Sequence, residues 1–241
     1  MRDVLKSFTF HFAGRGPWML GMTVILVTAA PFVARFGIGG LLLGLAIEGL
    51  YCAMLLSIVL DTCAGEDELP SLDAGDANGV GIFKALGLFI AGTLFVLWPF
   101  AGWLVLMEVS SSSLLASPLL GMALVILGVL LWPMTMLTIA VNGFSLEHLR
   151  YDRQLATIAR APGAYLCICA ALGAVVGMAY GASLLAQGLL PGGRGVGSIL
   201  ARAIALLFVG SVCQVYFSFA SMRIIGLFYR HYKARFAWLA E

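Results

Sequence analysis

Glu48 is the residue whose setting most constrains its chemistry. It lies near the middle of the apolar run "GGLLLGLAIEGLYCAMLLSIVL". A carboxylate at the centre of a membrane-spanning helix costs about 2.5–3.5 kcal/mol even on the lenient insertion scale, so it needs a cation or a proton. Arg202, a few residues into the last apolar stretch, is the nearest cation by depth, and its long side chain could bridge one to two turns. Two readings follow. Glu48 handles a proton or ion, or it is structural, paired with Arg202 or neutral and hydrogen-bonded to Ser57, Tyr51 or a neighbouring helix. No relay of further intramembrane acids or histidines accompanies it.

Two Trp-Pro pairs, Trp98-Pro99 and Trp132-Pro133, fall inside the third and fourth apolar stretches. Proline removes a backbone hydrogen bond and bends the helix. In transporters such broken helices offer carbonyls to ions or substrates. In ordinary bundles a neighbour satisfies the freed carbonyl and the kink serves packing, which is the expectation here.

Half of the chain's twelve carboxylates fall in residues 61–84, "DTCAGEDELPSLDAGDANGVGIFK". The candidate docking residues there are Glu66, Asp67, Glu68, Asp73 and Asp76. Their spacing is wrong for a calcium-binding EF-hand, and Pro70 interrupts the run. Two readings stay open: a solvated turn, or a docking strip for a basic partner, the chain's own 150–160 segment included.

Catalytic constellations are missing from the sequence. His11, His148 and His231 form no H-E-x-x-H and no Cys-His cluster. The five cysteines are irregularly spaced, and Cys167-x-Cys169 lacks a second pair, so no disulfide framework or metal site is expected. No phosphate loop, dinucleotide fingerprint or nucleophile elbow occurs. The reading is a protein that is not an enzyme and holds no cofactor.

What must position these residues follows from composition. The chain is 61% hydrophobic and only 11% charged, against about 25% charged in a soluble domain. Its mean hydropathy is +1.01. Lipid must be the solvent for most of it. A net charge of +2 and the lack of a basic, aromatic-interleaved run exclude a nucleic-acid partner.

Six apolar stretches of membrane-spanning length lie at about 18–34, 39–60, 85–107, 119–141, 164–190 and 197–227. They predict one all-α, polytopic membrane domain of six transmembrane helices arranged as three hairpins, with the first helix retained rather than cleaved. An acidic loop (61–84) and an amphipathic segment (143–162) connect them. Eleven Lys and Arg gather on the side of both termini, against three at the other, which makes that side cytoplasmic. The outer links are short; the longest reads "EVSSSSLLASP".

The hairpin idea rests on the pattern Arg, Pro, aromatic before the first span ("RGPWML") and the fifth ("RAPGAYL"). Each follows an amphipathic stretch. The candidate interfacial anchors are Arg15, Trp18, Arg160, Tyr165, Arg230, Lys233, Arg235 and Trp238. Arg223, Tyr229, Tyr232 and Phe236 belong to the same C-terminal amphipathic stretch, expected at the lipid surface. Spacing such as Gly40-x-x-x-Gly44 leaves room for a homo-oligomer.

The order "GRGPWML", "GEDELPSLDAGD" running into "GIFKALGLFI", "WPMTMLTIAV", "IARAPGAYL" and "RIIGLFYRHYKARFAW" resembles a family of multi-span prokaryotic membrane proteins defined as a domain of unknown function. That family is distantly similar to the Yip-type helical membrane proteins. The resemblance covers nearly the whole chain and implies its architecture, not its chemistry. The expected function is a non-catalytic inner-membrane protein, a membrane subunit or scaffold that contacts a partner through cytoplasmic loops. The alternatives are a small transporter or channel centred on Glu48, and a lipid-handling or membrane-shaping protein. Membrane lipids are expected partners in each.

Overall fold

The structure, a computed structural model, describes residues 2–12, 14–66, 68–70, 79–109, 117–143, 150–189 and 196–236. Among these the chain is helical and has no strand. In order come α1 (Arg2–Lys6), a 3-10 turn (Phe10–Phe12), α2 (Gly16–Val33), α3 (Gly37–Ala64), α4 (Gly79–Val109) and α5 (Pro118–Asn142). Then follow α6 (Tyr151–Arg160), α7 (Pro162–Leu189), α8 (Val196–Tyr232) and a closing 3-10 turn (Lys233–Arg235). Six of the helices are long and apolar enough to cross a membrane. They fall on the six apolar stretches of the sequence.

Local signals explain the helix ends. Pro17 and Pro118 sit in the first turns of α2 and α5, where the missing N–H costs nothing. Gly65 ends α3 at φ +105°, a conformation that costs residues with a Cβ. Its N–H reaches Thr62 O at 3.2 Å and the Glu66 N–H reaches Asp61 O at 2.8 Å, closing a Schellman motif. Helix α3 therefore continues through Asp61, and α4 begins at Gly79, so the acidic connection is shorter than the 61–84 expected.

Helices α3 and α8 form the centre. Val59, Met54 and Ile58 of α3 meet Phe219, Met222 and Ile225 of α8 in one buried cluster. Lipid tails are as apolar as these side chains, so close backbone approach must supply the attraction. Gly226 provides it: a Cβ there would lie 2.6 Å from Thr62 Cβ and 2.9 Å from Val59 O. Gly49 does the same where α3 meets Ile82 near the start of α4. Gly40 and Gly44 face Val33 O and Ala34 Cβ at the α2–α3 turn. That glycine pair is thus spent within the chain and is not a surface for a second copy.

Helix α6 lies inside the expected amphipathic segment, and two of its uncharged polar residues turn inward while Asp152 and Arg160 stay exposed. Gln154 and Thr157 are buried, whereas Leu155 is exposed. Thr135 Oγ1 of α5 donates to Gln154 Oε1 at 3.1 Å.

The N-terminal segment packs on the C-terminal half of α8. Tyr216 Oη donates to Phe8 O at 2.6 Å, and Asp3 Oδ2 lies 3.5 Å from His231 Nε2. The described chain ends therefore share one end of the molecule. The acidic turn joins them there, since Gly65 sits beside the Arg230 guanidinium and the Glu68 carboxylate lies against Gly14.

Candidate functional site

A cleft of about 1030 Å³ opens between α2, the last turns of α3 and the start of the acidic turn. Its size matches the upper end of small-molecule pockets, about 300–1,000 Å³. Helix α2 lines it with Arg15, Trp18, Met19, Met22, Thr23 and Leu26, a helical-face spacing that places these side chains in a column. The column runs about 16 Å down the helix, at 1.5 Å per residue. Opposite stand Ser57 and Asp61, one turn apart on α3. Glu66, Glu68, Leu69 and Pro70 complete the mouth.

Leu69 is why the turn covers the cleft instead of drifting into solvent: it is buried in the main apolar cluster. The cleft is therefore polar at one end and apolar at the other. Its mouth carries three carboxylates and one guanidinium. Among the described residues no ion pair joins Arg15 to Asp61, Glu66 or Glu68. Thr23 deeper down is satisfied internally, donating to Met19 O at 2.8 Å. The Cys, His, Asp and Glu of the described residues form no group able to hold a metal.

Sequence reasoning reached part of this site. It selected Glu66 and Glu68 as docking residues and Arg15 and Trp18 as anchors, but kept them apart. The structure brings the four together. Asp67, Asp73 and Asp76 lie outside the described residues. Met19, Met22 and Leu26 were missed, because their spacing is that of any lipid-facing helix until the facing helix is known, and Ser57 was read only as a partner for Glu48.

Glu48 and Arg202 do not meet. Arg202 donates from Nη2 to Gln187 O at 2.9 Å, tying α8 to the end of α7, and no ion pair joins it to Glu48 among the described residues. By helix rise Glu48 lies about 17 Å into α3 and Arg202 about 9 Å into α8, a gap in depth that the α7 carbonyl resolves more cheaply. Glu48 is half-buried and does not line the cleft.

A tyrosine reaches the helix backbone beside each Trp-Pro pair, and at Pro99 it takes the freed carbonyl itself. Pro99 leaves the carbonyl of Phe95 without its helical N–H. Tyr151 Oη of α6 donates to that oxygen at 2.5 Å, with its ring stacked on Phe95 at 4.4 Å. Burial raises the Tyr151 pKa, which keeps its proton available as a donor. Pro133 deprives the Val129 carbonyl in the same way, and Tyr165 Oη donates to the next one, Leu130 O. Trp98 is exposed, and Trp132 packs edge-on to Phe89 at 6.3 Å.

Tyr165 is consequently no interfacial anchor: it is buried, held by that carbonyl and by Phe228 at 5.7 Å. Arg223 and Phe236 leave the expected lipid surface as well. Arg223 is 3% exposed and lies 4.4 Å from the centre of the Phe10 ring; Phe236 packs on Phe228 and Tyr229. The reason in each case is that the N-terminal segment and the final turn cover α8. Arg15, Trp18, Arg160, Arg230, Lys233 and Arg235 are exposed. Trp238 lies outside the described residues.

His11 is the surprise of this region. It is fully buried, 4.7 Å from the Tyr216 ring and 5.9 Å from Phe219, and neither ring nitrogen makes a hydrogen bond. Burial first, then the Arg223 charge, push its pKa down to about 4. The nearby carbonyls of Tyr216 and Phe8 favour the charged form and are outweighed.

No protein-family model, no curated protein and no solved structure matches the chain.

Proposed function

We propose that this chain is a non-catalytic, multi-pass protein of a prokaryotic inner membrane, acting as a membrane subunit or scaffold whose charged end contacts a partner. Its six spans form three hairpins, α2–α3, α4–α5 and α7–α8, with α6 and the N-terminal segment at the interface and both termini cytoplasmic. The positive-inside bias supports the orientation. The close contacts of Gly44 with Ala34, Gly121 with Trp103, and Arg202 with Gln187 support the pairing. The resemblance to the Yip-like family belongs to the same reading.

One observation carries the partner role. The N-terminal segment, the acidic turn and the end of α8 assemble on one face, where Glu66, Glu68, Arg230, Lys233 and Arg235 are all exposed. Opposite charges interspersed on one such face give register and selectivity to docking more than raw affinity. The test is purification in mild detergent. A partner at fixed stoichiometry is expected, lost when the acids of residues 61–76 are neutralised. A clean monomer, or a partner retained by the neutralised variant, would end the proposal.

The cleft favours a second reading, lipid handling. The transporter reading draws no comparable support, because no ion pair joins Glu48 to Arg202 among the described residues and Tyr151 occupies the Phe95 carbonyl freed by Pro99.

A further inference from the structure

The geometry points to an occupant for the α2–α3 cleft: a phospholipid whose headgroup carries a primary ammonium. This deepens the lipid-handling reading and rests on it; the site shares Glu66 and Glu68 with the partner face but is argued from the cleft. The cleft has the polarity of an amphiphile, with charges at its mouth and Met19, Met22 and Leu26 along its lower wall. The column of about 16 Å below Arg15 suits an acyl chain lying along α2. The mouth is mixed in sign, three carboxylates against one guanidinium, and no ion pair joins Arg15 to those carboxylates among the described residues.

That array discriminates between headgroups. A primary ammonium offers three N–H donors, and Asp61, Glu66 and Glu68 are acceptors when ionised. The planar guanidinium of Arg15 suits a phosphate. A quaternary choline nitrogen has no N–H to give. A glycerol headgroup leaves the lipid with a net negative charge, which three carboxylates oppose. Of the three, only the primary ammonium lipid brings both signs together with N–H donors for the carboxylates.

The experiment is native mass spectrometry of the purified full chain in detergent, titrated in parallel with phosphatidylethanolamine, phosphatidylcholine and phosphatidylglycerol of identical chains. Retention of the ethanolamine lipid should exceed that of the other two at least five-fold. The exposed double variant Glu66→Gln/Glu68→Gln should lose that preference while keeping its melting temperature. Leu26→Trp, which fills the lower wall, should reduce retention of all three lipids. Glycerophosphoethanolamine, the same headgroup without chains, should not compete. Equal retention of the three lipids, an unchanged preference in the double variant, or full competition by the chainless headgroup would each overturn the assignment. Lipid selectivity can fail while partner recovery succeeds, so the two proposals are separable.

Discussion

The Tyr151 hydroxyl donates to the carbonyl of Phe95, the oxygen that Pro99 deprives of its helical partner. A kink and its cap come from segments 56 residues apart in sequence. The cap fixes α6 against α4 and closes the backbone site that a permeating ion would use.

Tyr151→Phe should therefore lower stability by about 1 kcal/mol, the scale of a hydrogen bond inside a membrane protein. In a Pro99→Ala background, where the backbone N–H restored at that position can serve Phe95 O, the same change should cost much less. Thermal unfolding of the four proteins of this double-mutant cycle reads the coupling. An additive cycle would show that the two features are unrelated.

Gly226→Ala should destabilise by about 1–3 kcal/mol, since the new Cβ meets the Val59 carbonyl, which no rotamer change can move. Gly177→Ala is the opposite case. Nothing lies within 4 Å of its Cβ, and alanine is the better helix former, so stability should hold or rise by up to about 1 kcal/mol. Melting temperatures in one detergent compare the two directly.

Acid should loosen the N-terminal segment. His11 has a pKa of about 4 in the folded chain against a free value of 6.5, so the unfolded state binds the proton first. Its contribution is complete above pH 6.5 and is lost as pH falls toward 4, by about 2 kcal/mol at pH 5 and about 3 kcal/mol at pH 4. The groups facing it are Arg223, Tyr216, Phe10 and Phe219. Hydrogen exchange over residues 2–12, taken relative to the intrinsic amide rate at each pH, should accelerate between pH 7 and pH 5 in the wild type. It should not in His11→Phe, which keeps the ring stack. Asp3→Asn, which removes the contact with His231, should leave the response in place. An unchanged response in His11→Phe would assign it to another group.

The long helices were legible because lipid imposes a single rule, about 20 apolar residues per span, that composition reveals without knowing the neighbours. The end of α3 was set too early, at residue 60, because the acid-rich context drew Asp61 into the loop, although Gly65 carries the usual signal for a helix end. Inter-helix relations were not legible. Tyr165 beside a proline and an arginine has the look of an interfacial anchor, and only the position of α5 turns it inward. Arg223 in a basic run looks lipid-facing until the N-terminal segment covers it. The cleft is such a relation too: Arg15 and Glu68 are far apart in the chain, and nothing in either neighbourhood announces the other. His11 carried no motif, and its burial depends on the docking of a short segment that periodicity does not predict.

The most direct test of the partner role is site-specific photo-crosslinking in intact cells, with the photoreactive residue placed at Glu66 on the charged face and at Phe36 at the opposite end. A protein adduct of one defined mass from position 66, and none from position 36, is the predicted result. Adducts of the same kind from both positions, or none from position 66, would contradict it.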